Sequence, residues 1–326
     1  MTAISVLDFV RITRETNARQ ALDQARELAA HAEALGYRRY WVPEHHNFPG
    51  IVGAATSVVL SHIAAGTRTI RIGAGGVMMP NHPPLVVAEQ FGTLAQLFPD
   101  RIDLGIGRAP GGDQNVIRAL RRPAGGGDLM ADAVELLAYF GEEGQAKGVR
   151  AMPAAATKVP LWILGSSLYG ARLGAELGLP YAFASHFAPE ALLPALQTYR
   201  DRFKPSVHLE RPYAMMGVNI VAAETDAEAV RLATTQQMTY TDLIRGRPGV
   251  SQPPLDDINT YWSPVERDHV TRMLGCSIIG SLATVRAAIA ALVAQTGVDE
   301  LIIDSDLYDH GRRMTSLEII AEAVAT

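Results

Sequence analysis

ISVLDFVRITRETNARQALDQARELAAHAEALGYRRYWVP, residues 4–43, reads as one complete strand–helix–strand unit. Its two ends, 4–9 and 39–43, are short apolar runs of the kind found in buried strands. Between them Asn17 is placed to cap a helix, Gln20 stands three residues on as in a capping box, and Gly36 closes the segment. Ala21, Leu22, Ala25, Leu28, Ala29, Ala32 and Leu35 recur at three- and four-residue steps. They form a single apolar stripe, the face that such a helix lays on a sheet.

The same unit repeats along the chain. Further strands are expected at 70–75, 102–107, 160–164, 181–185, 213–222 and 300–304, making eight in all. Helices are expected at 83–98, 128–140, 168–178, 189–203, 226–238, 282–296 and 312–325. Alternating strands and helices specify a parallel sheet, and eight such units specify a (β/α)₈ TIM barrel with loop insertions. All 326 residues fit one such domain. Two stretches break the rhythm. Residues 141–157 mix Gly, Ala and charges and read as a surface loop, and 239–264, punctuated by Gly and Pro, reads as a lid insertion over the barrel mouth.

Composition narrows the function. Hydrophobic residues are 48% and charged residues 19%, enough apolar material for a large core. A net charge of −5 without a basic run gives no footprint for nucleic acid or an anionic membrane, so a small-molecule substrate is expected. Cys276 is the only cysteine, which rules out an intrachain disulfide and fits a reducing, cytoplasmic setting. The N-terminus shows no leader pattern, and no segment has the apolar length of a membrane span.

In a barrel of this kind the chemistry sits at the carboxyl ends of the strands. Glu44, His45 and His46 follow the second strand, and a neutral imidazole there can donate a hydrogen bond to a reacting oxygen or accept a proton. Either histidine can instead be structural. Consecutive side chains on extended backbone point opposite ways, so His45 and His46 do not converge on one metal ion. His62, His82 and His186 are read as structural, and no metal site is expected. After the fifth strand, Ser166 and Ser167 precede a helix whose free amides would cradle a phosphate, unless they are an ordinary N-cap. Gly75, Gly76 and Gly107 let a flat ligand lie close to backbone, without the G-x-G-x-x-G context of a nicotinamide site. Arg108 offers a fixed positive charge to a phosphate, or forms a surface ion pair.

These residues resemble the bacterial luciferase-like flavin-dependent oxidoreductases. The resemblance runs through nearly the whole chain. It is carried by Glu44-His45-His46, by IGAGGVMMPNHPPLVVAEQF at 72–91, by RIDLGIGR at 101–108 and by LGSSLYGARLGAELGLP at 164–180. It implies a monooxygenase that uses reduced FMN from a separate reductase, together with molecular oxygen, on a small organic substrate. It also implies that His45 is the catalytic histidine beside the flavin, with Glu44 and His46 as its neighbours. Gly75 and Gly76 form a bulge under the isoalloxazine ring, with a cis peptide at or next to them. Arg108 contacts the phosphate region, and Ser166, Ser167, Leu168, Tyr169 and Gly170 form the phosphate-binding turn. Homodimers are common among such proteins. Gly107 stands where luciferase has a reactive cysteine and Gly111 where it has a nearby tyrosine, which points away from light emission. Relatives on the same barrel use a deazaflavin, which is the alternative cofactor. A flavin-binding protein without catalysis and a metal-dependent barrel hydrolase are the other readings.

Overall fold

The computed structural model describes residues 2–109, 111–121 and 127–325. Pro110, within the glycine-rich turn after the fourth expected strand, lies outside them. The strands are β1 (Ala3–Leu7), β2 (Arg39–Val42), β3 (Arg71–Met78), β4 (Ile102–Gly107), the short β5 (Gln145–Ala146) and β6 (Val149–Arg150), β7 (Leu161–Gly165), β8 (Tyr181–Phe183), β9 (Ala214–Ala222), β10 (Ile278–Gly280) and β11 (Glu300–Asp304). Eight of them pair in parallel in the order β1, β2, β3, β4, β7, β8, β9, β11, and β11 returns to β1. The sheet closes into the expected barrel, with each strand within a few residues of its place in the sequence reading.

The helices are α1 (Ala18–Ala34), α2 (Thr56–Ala64), α3 (Pro84–Leu97), α4 (Gln114–Ala119), α5 (Leu129–Phe140), α6 (Leu168–Leu177), α7 (Leu192–Arg202), α8 (Asp226–Ile244), α9 (Pro264–Met273), α10 (Leu282–Thr296) and α11 (His310–Val324). The capping box of α1 forms as written, and Ala21, Ala25, Leu28, Ala29 and Ala32 are buried on the barrel wall. Among the described residues no helix is long and apolar enough to cross a membrane.

Three departures from the sequence reading have local causes. The loop expected at 141–157 contains the antiparallel β5–β6 hairpin and buries Ala151 and Ala154 against the core. Helix α8 runs six residues past its expected end. Tyr240 and Thr241 are buried there and the Thr239 and Thr241 hydroxyls bond back to carbonyls four residues earlier, so tertiary burial overrides weak helix propensity. Of the stretch 239–264, then, only 245–263 lies between helices.

The interior is layered. Leu7, Trp41, Trp162, Ala182, Met215 and Ile302 fill the middle of the barrel, and Trp41 and Trp162 meet edge to face at 5.2 Å. Below them, at the amino ends of the strands, lies a dry ionic layer. Arg39 binds Asp103 at 2.7 Å and Glu300 at 2.9 Å, and Arg71 takes the other oxygen of Asp103 at 2.7 Å. The Arg39 guanidinium also lies 4.7 Å from the centre of the Trp162 ring. This plug closes the base and leaves the carboxyl ends free to hold a cavity.

Candidate active site

The strand ends enclose a cavity of about 730 Å³. Of Glu44, His45 and His46, only His45 lines it. Its ring is held between Phe9 at 5.4 Å and Phe48 at 5.5 Å, and its Nδ1 is buried without a hydrogen-bond partner among the described residues. Burial, then the positive charge of Arg11, lower its titration to about 4, against a small opposing pull from Glu44. The imidazole is therefore neutral at physiological pH.

Glu44 and His46 turn the other way, as alternation along extended backbone requires. The buried Glu44 carboxylate accepts from His46 Nε2 (2.7 Å), Asn81 Nδ2 (2.9 Å), His82 Nε2 (2.9 Å) and the Met78 amide (3.0 Å). Burial alone would raise its pKa. The bonds from His82, Asn81 and Met78, with the charge of His82, more than offset this and hold it below the ordinary value. Glu44 thus clamps the end of β2 to the segment after β3, with His82, read above as structural, among its partners. Neither Glu44 nor His46 is placed to touch a ligand in the cavity.

The register of β3 against β4 slips between Ala74 and Val77, and the Gly75–Gly76 peptide within that bulge is cis, as the resemblance implied. Both glycines border the cavity, but the space their side chains would take is filled by protein. A Cβ on Gly76 would stand 2.6 Å from the Gly105 carbonyl oxygen, and one on Gly75 3.0 Å from Leu7 Cδ1. Glycine is required here by strand packing itself. At Gly107, by contrast, a Cβ would meet only Met78 Sδ at 3.9 Å, so this position is open.

At the end of β7, Ser167 occupies the N-cap of α6, yet its side chain makes no capping hydrogen bond. The first amides of a ten-residue helix are left to another acceptor. Ser166, Ser167, Tyr169 and Gly170 line the cavity, whereas Leu168 does not. Arg108 lies 4.4 Å from the centre of the Tyr169 ring, which sets its guanidinium beside the same helix end. Hydroxyls, free amides and a cation share one end of the cavity, the donor set that an anionic phosphate needs.

Around the cavity lie further groups that the sequence reading did not single out as functional. Arg11, after β1, pairs with Asp306 at 2.8 Å and lies 4.8 Å from the Phe9 ring centre. Arg313 binds Asp8 at 2.9 Å. Beside them burial, then the charge of Asp306, push Asp304 up to about 7. Asp306 and Asp8 pair with Arg11 and Arg313, which leaves Asp304 as the group whose protonation sets the charge of this flank. His186, expected to be structural, instead lines the cavity next to Phe9 at 6.0 Å. Arg11 stands four residues after β1 and His186 three after β8, so the strand-end rule that found His45 also points to them.

Residues 2–300 match the sequence family described as luciferase-like monooxygenase. A luciferase-like monooxygenase of Escherichia coli (strain K12) is 46% identical over 319 residues, covering 97% of this chain and 95% of that protein. The solved structure of apo-MsnO8 is 32% identical with a TM-score of 0.88 over 99% of this chain and 98% of that one. Two others share the fold alone. The oxygenating constituent of 3,6-diketocamphane monooxygenase from Pseudomonas putida, in complex with FMN, has TM-score 0.75 at 18% identity, covering 100% and 98% of the two chains. An F420-dependent secondary alcohol dehydrogenase has TM-score 0.69 at 15% identity, covering 100% and 99%.

Proposed function

The chain belongs to the luciferase-like monooxygenase family, and from that premise we propose that it takes reduced FMN from a separate reductase and uses molecular oxygen to oxidise a small organic substrate. The observation that carries the cofactor assignment is the uncapped end of α6, where Ser167 leaves helix amides free beside Arg108. When bound, the flavin supplies the redox and oxygen chemistry. Ser166, Ser167 and the amides at Tyr169 and Gly170 hold its phosphate, and Arg108 neutralises the charge. His45 keeps its Nδ1 buried, and its neutral ring would offer an Nε2–H hydrogen bond toward a reacting oxygen. Phe9 and Phe48 keep water from that proton, and Pro248, Gly249 and Val250, in the 245–263 segment, cover the mouth as a lid.

Ser167→Asp tests the assignment. A carboxylate at the helix cap would fill the amide cradle and repel the phosphate, and FMN affinity should fall by at least about tenfold, the loss of one charge-assisted contact. Fluorescence titration with FMN reads this directly, and unchanged affinity would remove the phosphate from this site. Titration with coenzyme F420 in parallel ranks the alternative cofactor. Gly107→Val should leave the barrel folded, because its side chain enters open space, yet weaken FMN binding by about 1–3 kcal/mol through overpacking. A valine variant with unaltered affinity would mean that the ring does not pass over Gly107.

A further inference from the structure

We propose that His186 is a substrate-binding residue that donates a hydrogen bond from Nε2, so that the cavity selects small, largely apolar, uncharged molecules carrying one hydrogen-bond acceptor such as a carbonyl oxygen. The proposal rests on the flavin monooxygenase reading above and assigns the part of the cavity that the cofactor residues leave over.

His186 is held at its backbone by a hydrogen-bonded framework. Its backbone carbonyl accepts from Asn219 Nδ2 at 2.5 Å and from the Tyr240 hydroxyl at 3.2 Å, and Gln236 fixes the Asn219 side chain at 2.9 Å. The imidazole turns its Nδ1 edge toward β9, where a Cβ on Gly217 would stand 2.4 Å from Nδ1. Nδ1 is buried without a partner among the described residues, and the opposite edge, Nε2 and Cδ2, faces away from Gly217. A buried unpaired N–H is harder to keep than an unpaired lone pair, so the single proton of the neutral ring sits on Nε2. Burial, then the nearby His45 and Arg11, lower its titration to about 3, so the ring stays an uncharged donor.

The surroundings set the substrate class. Phe9 and Phe187 contact the His186 ring edge on, and Leu243 and Met273 line the same cavity. The charges nearby are already used. Arg11 is paired with Asp306, and Asp242 accepts from Tyr261 at 2.7 Å and Gln252 at 3.2 Å. Among the described residues an anion finds Arg11 already charge-paired and a cation finds Asp242 already hydrogen-bonded, whereas a neutral acceptor finds two imidazole donors flanking Phe9.

The test uses the FMN-loaded protein and four probes of one size: cyclohexanone, methylcyclohexane, cyclohexanecarboxylate and cyclohexylammonium. Binding is read from perturbation of the flavin absorbance. Cyclohexanone should bind at least about tenfold more tightly than each of the other three. His186→Phe should abolish the preference for the ketone over the hydrocarbon and leave FMN affinity within about twofold, while His186→Gln, which keeps a donor, should restore part of it. Gly217→Ala, which displaces the ring without changing its chemistry, should mimic His186→Phe and provides an independent variant if that one folds poorly. Retained ketone preference in both variants overturns the proposal, as does a charged probe binding best. A loss of FMN affinity equal to the loss of ketone binding overturns it too, by making His186 a cofactor residue. An unaltered protein that fails to bind FMN at all overturns the reading beneath it as well.

Discussion

His45→Ala should lower the rate of product formation by about 10²- to 10³-fold, the usual contribution of a preorganised hydrogen-bond donor to developing charge, while FMN affinity stays within a few fold. The separation follows from geometry: the phosphate cradle lies at β7 and α6, whereas His45 stands at the end of β2 between Phe9 and Phe48. Oxygen consumption should persist in the variant, with reducing equivalents appearing as hydrogen peroxide in place of product. His45→Gln should recover part of the rate because an amide still donates. The neutral form is the active one, and burial together with Arg11 holds the titration at about 4. Activity should therefore show no His45-linked change between pH 6 and 8. The same depressed pKa has a stability consequence. The unfolded chain protonates this histidine from about pH 6.5 downward and the folded chain only near 4, so its stability contribution is complete above 6.5 and is lost as pH falls through that interval. Product yield unchanged in His45→Ala would remove this residue from the mechanism.

Arg39→Met should cost about 3–5 kcal/mol of folding stability, the range for breaking a buried ion network on one side. Asp103 keeps Arg71 as a partner, but Glu300 is left with only the hydroxyls of Tyr213 and Ser5 inside a dry barrel base. The stacking on Trp162 is lost as well. Urea denaturation of the flavin-free protein measures the loss. Adding Glu300→Gln to Arg39→Met should return part of it, because the uncompensated charge then disappears. A single-variant loss below about 1 kcal/mol would mean that water reaches the base and screens the carboxylates.

Much of the architecture was legible residue by residue. The eight barrel strands are apolar runs flanked by helical stripes, and the Asn17–Gln20 capping box marks the start of α1. Helix α9 was legible in principle, through Ser263, Pro264 and Glu266, but was hidden by the Pro and Gly before it. Helix α2 carried little signal, since Ala55 forms no side-chain cap and its periodicity is masked by a largely apolar sequence. The strand-end rule brought out His45, Arg108 and the serines at 166 and 167, because a parallel barrel delivers every strand end to one face. What each does there depends on residues far away in the chain. Glu44 is held away from the cavity by Asn81, His82 and the Met78 amide. His186 is positioned by Tyr240 on α8 and by the close approach of Gly217 on the neighbouring strand, and its ring nitrogens have no partner among the described residues. Local pattern determines which backbone groups pair within an element. The protonation and availability of a buried side chain depend on burial and on partners brought together only when the barrel closes.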